Sequence, residues 1–125
     1  MGLAYNETIT VKEMNQLRKS VGFRQLNEEQ LKCSFEGSAM IVSAYDDRAV
    51  GMARLIWDTG STGMITDLLV HKDYRNNGIE EQLLSMIVDF LREQLESGYG
   101  IQIDIKGWDG QLEALRTIGF IESSI

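Results

Sequence analysis

Arg75-Asn76-Asn77-Gly78 is a turn whose residue types and position suit the holding of a phosphate. Asn and Gly enter positive φ at the least steric cost, so these residues punctuate the chain sharply. Directly after them the apolar residues Ile79, Leu83, Ile87, Leu91 and Leu95 recur at helical spacing, with Leu84 and Val88 beside them. A helix start leaves its first amides unpaired and carries partial positive charge. A small-residue turn that opens into a helix therefore offers backbone N–H groups to an anion.

Other residues able to do chemistry are few. His71, the single histidine, follows the apolar run Gly63 to Val70. A lone His can act as a base near neutrality, but at the exposed end of a strand it is an ordinary polar residue, and that reading is preferred. Cys33 has no second cysteine to pair with, and one Cys with one His excludes a zinc site. Cys33 is expected as buried or half-buried filler, and Met14, Met40, Met52, Met64 and Met86 as core filler. Arg54 interrupts the apolar segment VGMARLIW. It meets a substrate or an acid such as Asp67, or it lies at a sheet surface with its stem packed and its head wet.

Composition narrows the function classes. A chain of 125 residues suits one domain with a real core. Its first twenty residues are polar, no apolar run is long enough to cross a membrane, and Asn6 occupies the position where N-myristoylation needs Ser or Thr. A cytoplasmic protein without membrane association is the expectation, and the unpaired cysteine fits a reducing compartment. With 12 Lys and Arg scattered against 19 Asp and Glu, net charge −7, a nucleic-acid surface is excluded. The same charge suits capture of cationic substrates such as amines.

The elements that must position the turn follow in α/β order. Thr10-Val11-Lys12-Glu13 reads as a capping box for a helix to about Val21. Asn27 caps a second helix that passes through Lys32 and ends near Gly37. Ala39 to Tyr45 and Ala49 to Asp58 form a hairpin around Asp46-Asp47-Arg48, and a turn at Thr59 to Gly63 leads to the strand ending at Val70. After the long helix, Ser97-Gly98-Tyr99-Gly100 is its stop, and Ile101 to Lys106 is a strand. Gly107 to Gly110 is a turn, Gln111 to Thr117 a short helix, and Phe120 to Ile125 begins a last strand. Meandering strands and a crossover helix make a mixed sheet covered by helices.

YRNNGI followed by EEQLL resembles the pyrophosphate loop of the GNAT (Gcn5-related) N-acetyltransferases, in which Arg or Gln, two residues, Gly, one residue, and Gly or Ala succeed one another. Arg75, Gly78 and Ile79 fit that pattern, and Glu80 departs from it. VGMARLIWD and ITDLLV resemble the family's third and fourth strands, and the TIGF at Thr117 to Phe120 its closing helix-to-strand turn. The resemblance implies an α/β (α+β) acyl-CoA N-acyltransferase fold: one domain, residues 1–125, with a mixed, mostly antiparallel sheet flanked by helices and a shortened C-terminal strand region.

It also implies an acetyl-CoA-dependent transferase acting on a small amine or a peptide amine. Acetyl-CoA as co-substrate would lie along Leu68, Leu69 and Val70, with its diphosphate on Arg75, Asn76, Asn77, Gly78, Ile79 and Glu80. Asp67 is the catalytic candidate implied at the cofactor-facing start of the strand, with a solvent-facing acid as its bland alternative. Leu115 stands where many members have the Tyr that protonates the leaving thiolate, and the segment Ile121 to Ile125, without Pro or Lys, suggests a homodimer through an unblunted edge. Two further expectations stay open: a degenerate member that binds CoA weakly, and a non-catalytic regulatory subunit.

Overall fold

The structure, a computed structural model, describes residues 2–95 and 100–106. Its sheet has the strand order β1-β2-β3-β4-β5, formed by Ala4–Asn6, Met40–Asp46, Arg48–Trp57, Thr62–Val70 and Gln102–Ile105. The first four strands are an antiparallel meander, and β5 lies parallel to β4, as a crossover through a helix requires. The expected mixed, mostly antiparallel sheet is thus present. The three-residue β1 was not expected, because three residues are too few to show an alternation. The expected elements at 107–125, including the TIGF turn, Leu115 and the last strand, lie outside the described residues, as do 96–99 of the helix stop.

Local chemistry accounts for the helices. Helix α1, Val11–Ser20, starts in a complete capping box: the Thr10 hydroxyl accepts from the Glu13 amide and the Glu13 carboxylate from the Thr10 amide. Helix α2, Glu28–Glu36, is capped by the Asn27 side chain, which accepts from the Gln30 amide. Helix α3, Ile79–Gln94, buries Ile79, Leu83, Leu84, Ile87, Val88 and Leu91 on one stripe.

The sheet separates two apolar layers. On one face α3 packs on Val42, Ala44, Val50, Leu55, Ile65 and Val70. On the other, Met14 and Leu17 of α1 and Leu31 of α2 close over Met52 and Leu69. Gly51 lets α3 start hard against β3: a Cβ there would lie 2.9 Å from Ile79 Cγ2. Cys33 departs from expectation. It is exposed, because α2 turns Leu31 inward and leaves Cys33 on the solvent side.

Candidate functional site

The site grows from a defect in β4. Met52 pairs with Leu69 and Arg54 with Thr66, so two steps along β3 face three along β4 and β4 carries one extra residue. Asp67 takes up the excess with φ +53, in the left-handed region. Beyond it β4 loses its other neighbour. The β4–β5 register runs from Thr62–Gln102 to Ile65–Ile105, followed by a bond from the Lys106 amide to the Ile65 carbonyl at 2.8 Å. Among the described residues nothing pairs with β4 on that side from Thr66 to Val70. The His71 amide donates to the Val50 carbonyl at 2.8 Å. By antiparallel alternation the Leu69 backbone groups then face β3, while those of Leu68 and Val70 face the open edge.

A short 3₁₀ turn, Lys72–Tyr74, carries the chain from β4 to the loop. Asn76 (φ +66) and Gly78 (φ +75) are both left-handed, the conformation for which these residue types were singled out. The Asn77 amide group donates to the carbonyls of Tyr74 at 3.0 Å and Arg75 at 3.1 Å, fastening the turn. Gly78 is the N-cap of α3 and brings no capping side chain, and Gln82 donates back to the Gly78 carbonyl at 3.1 Å. The amides of Ile79, Glu80 and Glu81 come before that first helical bond, at the positive end of a 16-residue helix.

Loop, bulge and the open edge of β4 line one cleft of about 710 Å³, well within the size of small-molecule sites. Its floor runs from Thr66 to Val70; Arg75 and Glu80 stand at one end, Arg18, Val21 and Phe23 at the other, and Lys106 across from β4. Three cations and two carboxylates line it, a cationic local balance inside a chain of net charge −7.

Sequence-derived candidates are therefore brought together in part. Asp67, Leu68, Leu69, Val70, Arg75 and Glu80 share the cleft, and Asn76, Asn77, Gly78 and Ile79 form the turn and helix start at its end. Asp67 is not a solvent-facing acid. Its side chain is 14% exposed, Arg54 Nε donates to Oδ2 at 2.9 Å, and Arg18 Nη1 lies 3.7 Å from Oδ1. Arg54 thus meets Asp67, one of the two outcomes open for it. His71 is not at an exposed strand end: its side chain is 14% exposed, its Nδ1 accepts from the Asp73 amide at 3.1 Å, and its ring meets Tyr74 edge-on. Arg18, Phe23, Thr66 and Lys106 were not singled out beforehand. Arg18 is placed by donating to the Arg24 carbonyl at 2.8 Å and by lying 5.5 Å above the Phe23 ring.

Residues 9–111 match the model of the Acetyltransferase (GNAT) family, and the chain belongs to that family. An uncharacterized N-acetyltransferase, ycf52, of Pyropia yezoensis is 27% identical over 96 residues, covering 73% of this chain and 55% of that protein. The chain thus spans about half the length of the curated relatives it matches. Among solved structures, a probable acetyltransferase of unknown function from meticillin-resistant Staphylococcus aureus superposes with a TM-score of 0.80 at 19% identity, over 98% of this chain and 92% of that one. A GNAT family acetyltransferase from Streptococcus pneumoniae TIGR4 gives 0.69 at 24% identity, over 96% and 86%. The acyl-CoA N-acyltransferase fold is shared with both.

Proposed function

We propose that this chain is an acetyl-CoA-dependent N-acetyltransferase that passes the acetyl group directly to a primary amine of a small molecule or a peptide. One observation carries the reading: the edge of β4 that is unpaired among the described residues leads through the short turn Lys72–Tyr74 into a left-handed turn at a helix start, in one cleft with Arg75 and Lys106. Extended backbone groups suit an amide-bearing arm, and turn amides with adjacent cations suit a diphosphate. Leu68, Leu69 and Val70 are the residues proposed for the arm, and Arg75, Asn76, Asn77, Gly78, Ile79 and Glu80 for the phosphates.

In the transfer, the amine nitrogen attacks the thioester carbonyl, the C–N bond forms, the C–S bond breaks and CoA leaves as thiolate. The attacking amine must first lose its ammonium proton, and the developing oxyanion needs a donor. Asp67 stays the catalytic candidate, as the carboxylate lining the bulge end of the cleft, reached through water. Edge amides of β4 beside the bulge are the donors proposed for the oxyanion. A thiolate needs little acid assistance, the thiol pKa being about 8.5 for a cysteine-like group, so Leu115 in place of a tyrosine slows the reaction without preventing it.

A homodimer and a cytoplasmic setting complete the proposal; no described helix is long and apolar enough to cross a membrane. Melting with and without CoA tests the reading first. A ligand at a hundred times its dissociation constant adds about 2.7 kcal/mol, a shift of several degrees for a domain of this size. A flat melting temperature at millimolar CoA rejects it. Glu80 in the cleft favours one second reading, weak CoA binding without transfer. Thermal stabilisation without thiol release from acetyl-CoA across a panel of amines selects that reading instead.

A further inference from the structure

Arg54 is the charged residue within the apolar run of β3, and its guanidinium ties three elements together. Nε donates to Asp67 Oδ2 at 2.9 Å, while Nη1 donates to Ser38 Oγ at 3.0 Å and to the Ser34 carbonyl at 3.3 Å at the end of α2. Both side chains of the ion pair are 14% exposed. Asp67 is the residue whose left-handed backbone absorbs the extra position in β4, and Arg54 pairs with Thr66, immediately before it. A non-glycine residue in that region carries a conformational cost, and such a bulge persists where surrounding contacts over-determine it. The Arg54 fork is that contact: it fixes the Asp67 side chain against β3 and α2, where Arg18 supplies only a longer approach of 3.7 Å.

We propose that Arg54 is a positioning residue for the co-substrate: by clamping Asp67 it holds the bulge that keeps the Leu68 to Val70 edge apart from β5 and its backbone groups open to the pantetheine arm of CoA. The inference rests on the CoA-binding reading above. It divides the cleft into two parts with different dependences. The arm end depends on a bulge held by Arg54. The phosphate end depends on the turn at Asn76 and Gly78, which is fastened by Asn77, whereas the hydrogen bonds of Arg54 go to Asp67, Ser34 and Ser38.

Titration calorimetry with two ligands separates these parts: CoA, and adenosine 3′,5′-bisphosphate, which has the nucleotide end without the arm. Arg54→Gln is expected to weaken CoA about tenfold or more and the bisphosphate by less than about twofold, as a loss confined to the arm requires. Arg54→Lys, which keeps the charge but not the fork, recovers part of the CoA affinity. Asp67→Ala, which removes the carboxylate that Arg54 Nε holds at 2.9 Å while leaving a non-glycine residue at φ +53, shows the same split between ligands.

Unchanged CoA affinity in Arg54→Gln, or equal weakening of both ligands, overturns the inference, the second because general loss of fold does not distinguish arm from phosphate. If Arg54→Gln does not fold, Arg54→Lys and Asp67→Ala carry the comparison by the same criteria. Wild-type protein that binds neither ligand rejects the acetyltransferase reading and the positioning role with it. Wild-type protein that binds CoA while the variants keep full affinity rejects the positioning role alone.

Discussion

The Tyr74 hydroxyl donates to Asp46 Oδ2 at 2.6 Å, tying the entrance of the Arg75–Gly78 loop to the β2–β3 turn. The hydrogen bond to Asp46, with burial and the charge of Asp46 behind it, raises the Tyr74 hydroxyl pKa above its ordinary value. The tether crosses from one hairpin end to the segment that precedes Arg75, so the loop does not stand on its own turn chemistry alone.

Tyr74→Phe removes that tether while keeping the ring against His71. CoA binding is expected to weaken by about two- to tenfold, the range of one lost hydrogen bond, measured by titration calorimetry. Affinity equal to wild type shows that the turn holds its shape without Asp46.

Glu80 stands in the cleft at the start of α3. At a separation of ~6 Å and an effective dielectric of about 20, a carboxylate and a phosphate charge repel by roughly 3 kcal/mol, less with screening. Glu80→Gly is expected to tighten CoA binding although it removes a favourable helix-dipole contact and costs about 1 kcal/mol of helix propensity. Binding no tighter than wild type places the side chain away from the phosphates.

Gly51→Ala puts a methyl group 2.9 Å from Ile79 Cγ2, between β3 and the first residue of α3. Overpacking of this kind costs about 1–3 kcal/mol. The melting temperature is expected to fall, and CoA affinity with it, because the displaced element is the helix start. A variant as stable as wild type would mean that Ile79 changes rotamer without moving α3.

The Tyr45 hydroxyl donates to Glu13 Oε1 at 2.8 Å, linking β2 to the capping box of α1. Burial, and then the hydrogen bond and charge of Glu13, push the Tyr45 pKa up to about 12 from 10.0. A raised folded-state pKa contributes stability that is whole below pH 10 and lost as pH climbs towards 12. Burial alone would raise Glu13, but hydrogen bonds from the Thr10 amide, Tyr45 and the Thr10 hydroxyl outweigh it and lower its pKa. That contribution holds above the ordinary carboxyl range and fades on acidification. Melting against pH should show wild type more stable than Tyr45→Phe at neutrality, with the difference shrinking above pH 10. A constant difference across the alkaline range refutes the linkage.

The sequence alone determined what depends on neighbours in the chain. The Thr10–Glu13 capping box, the Asn27 cap, the α3 stripe and the left-handed Asn76 and Gly78 are all interactions within a few residues, whose physics is complete in the local segment. Asn27, for instance, was legible as a cap because its acceptor serves an amide three residues on. Tertiary structure decided the rest. Packing of α2 against α1 turned Leu31 inward and left Cys33 outside, and no periodicity in a nine-residue helix with one buried position states which way it will face. The bulge at Asp67 has no signal in ITDLLV, since an extra residue exists only relative to the partner strand. Arg18, Arg54 and Asp67 come from a helix and two strands. Their charges meet because burying both faces of the sheet brings α1 and α2 over β3 and β4, and that burial, summed over the whole core, placed the cleft.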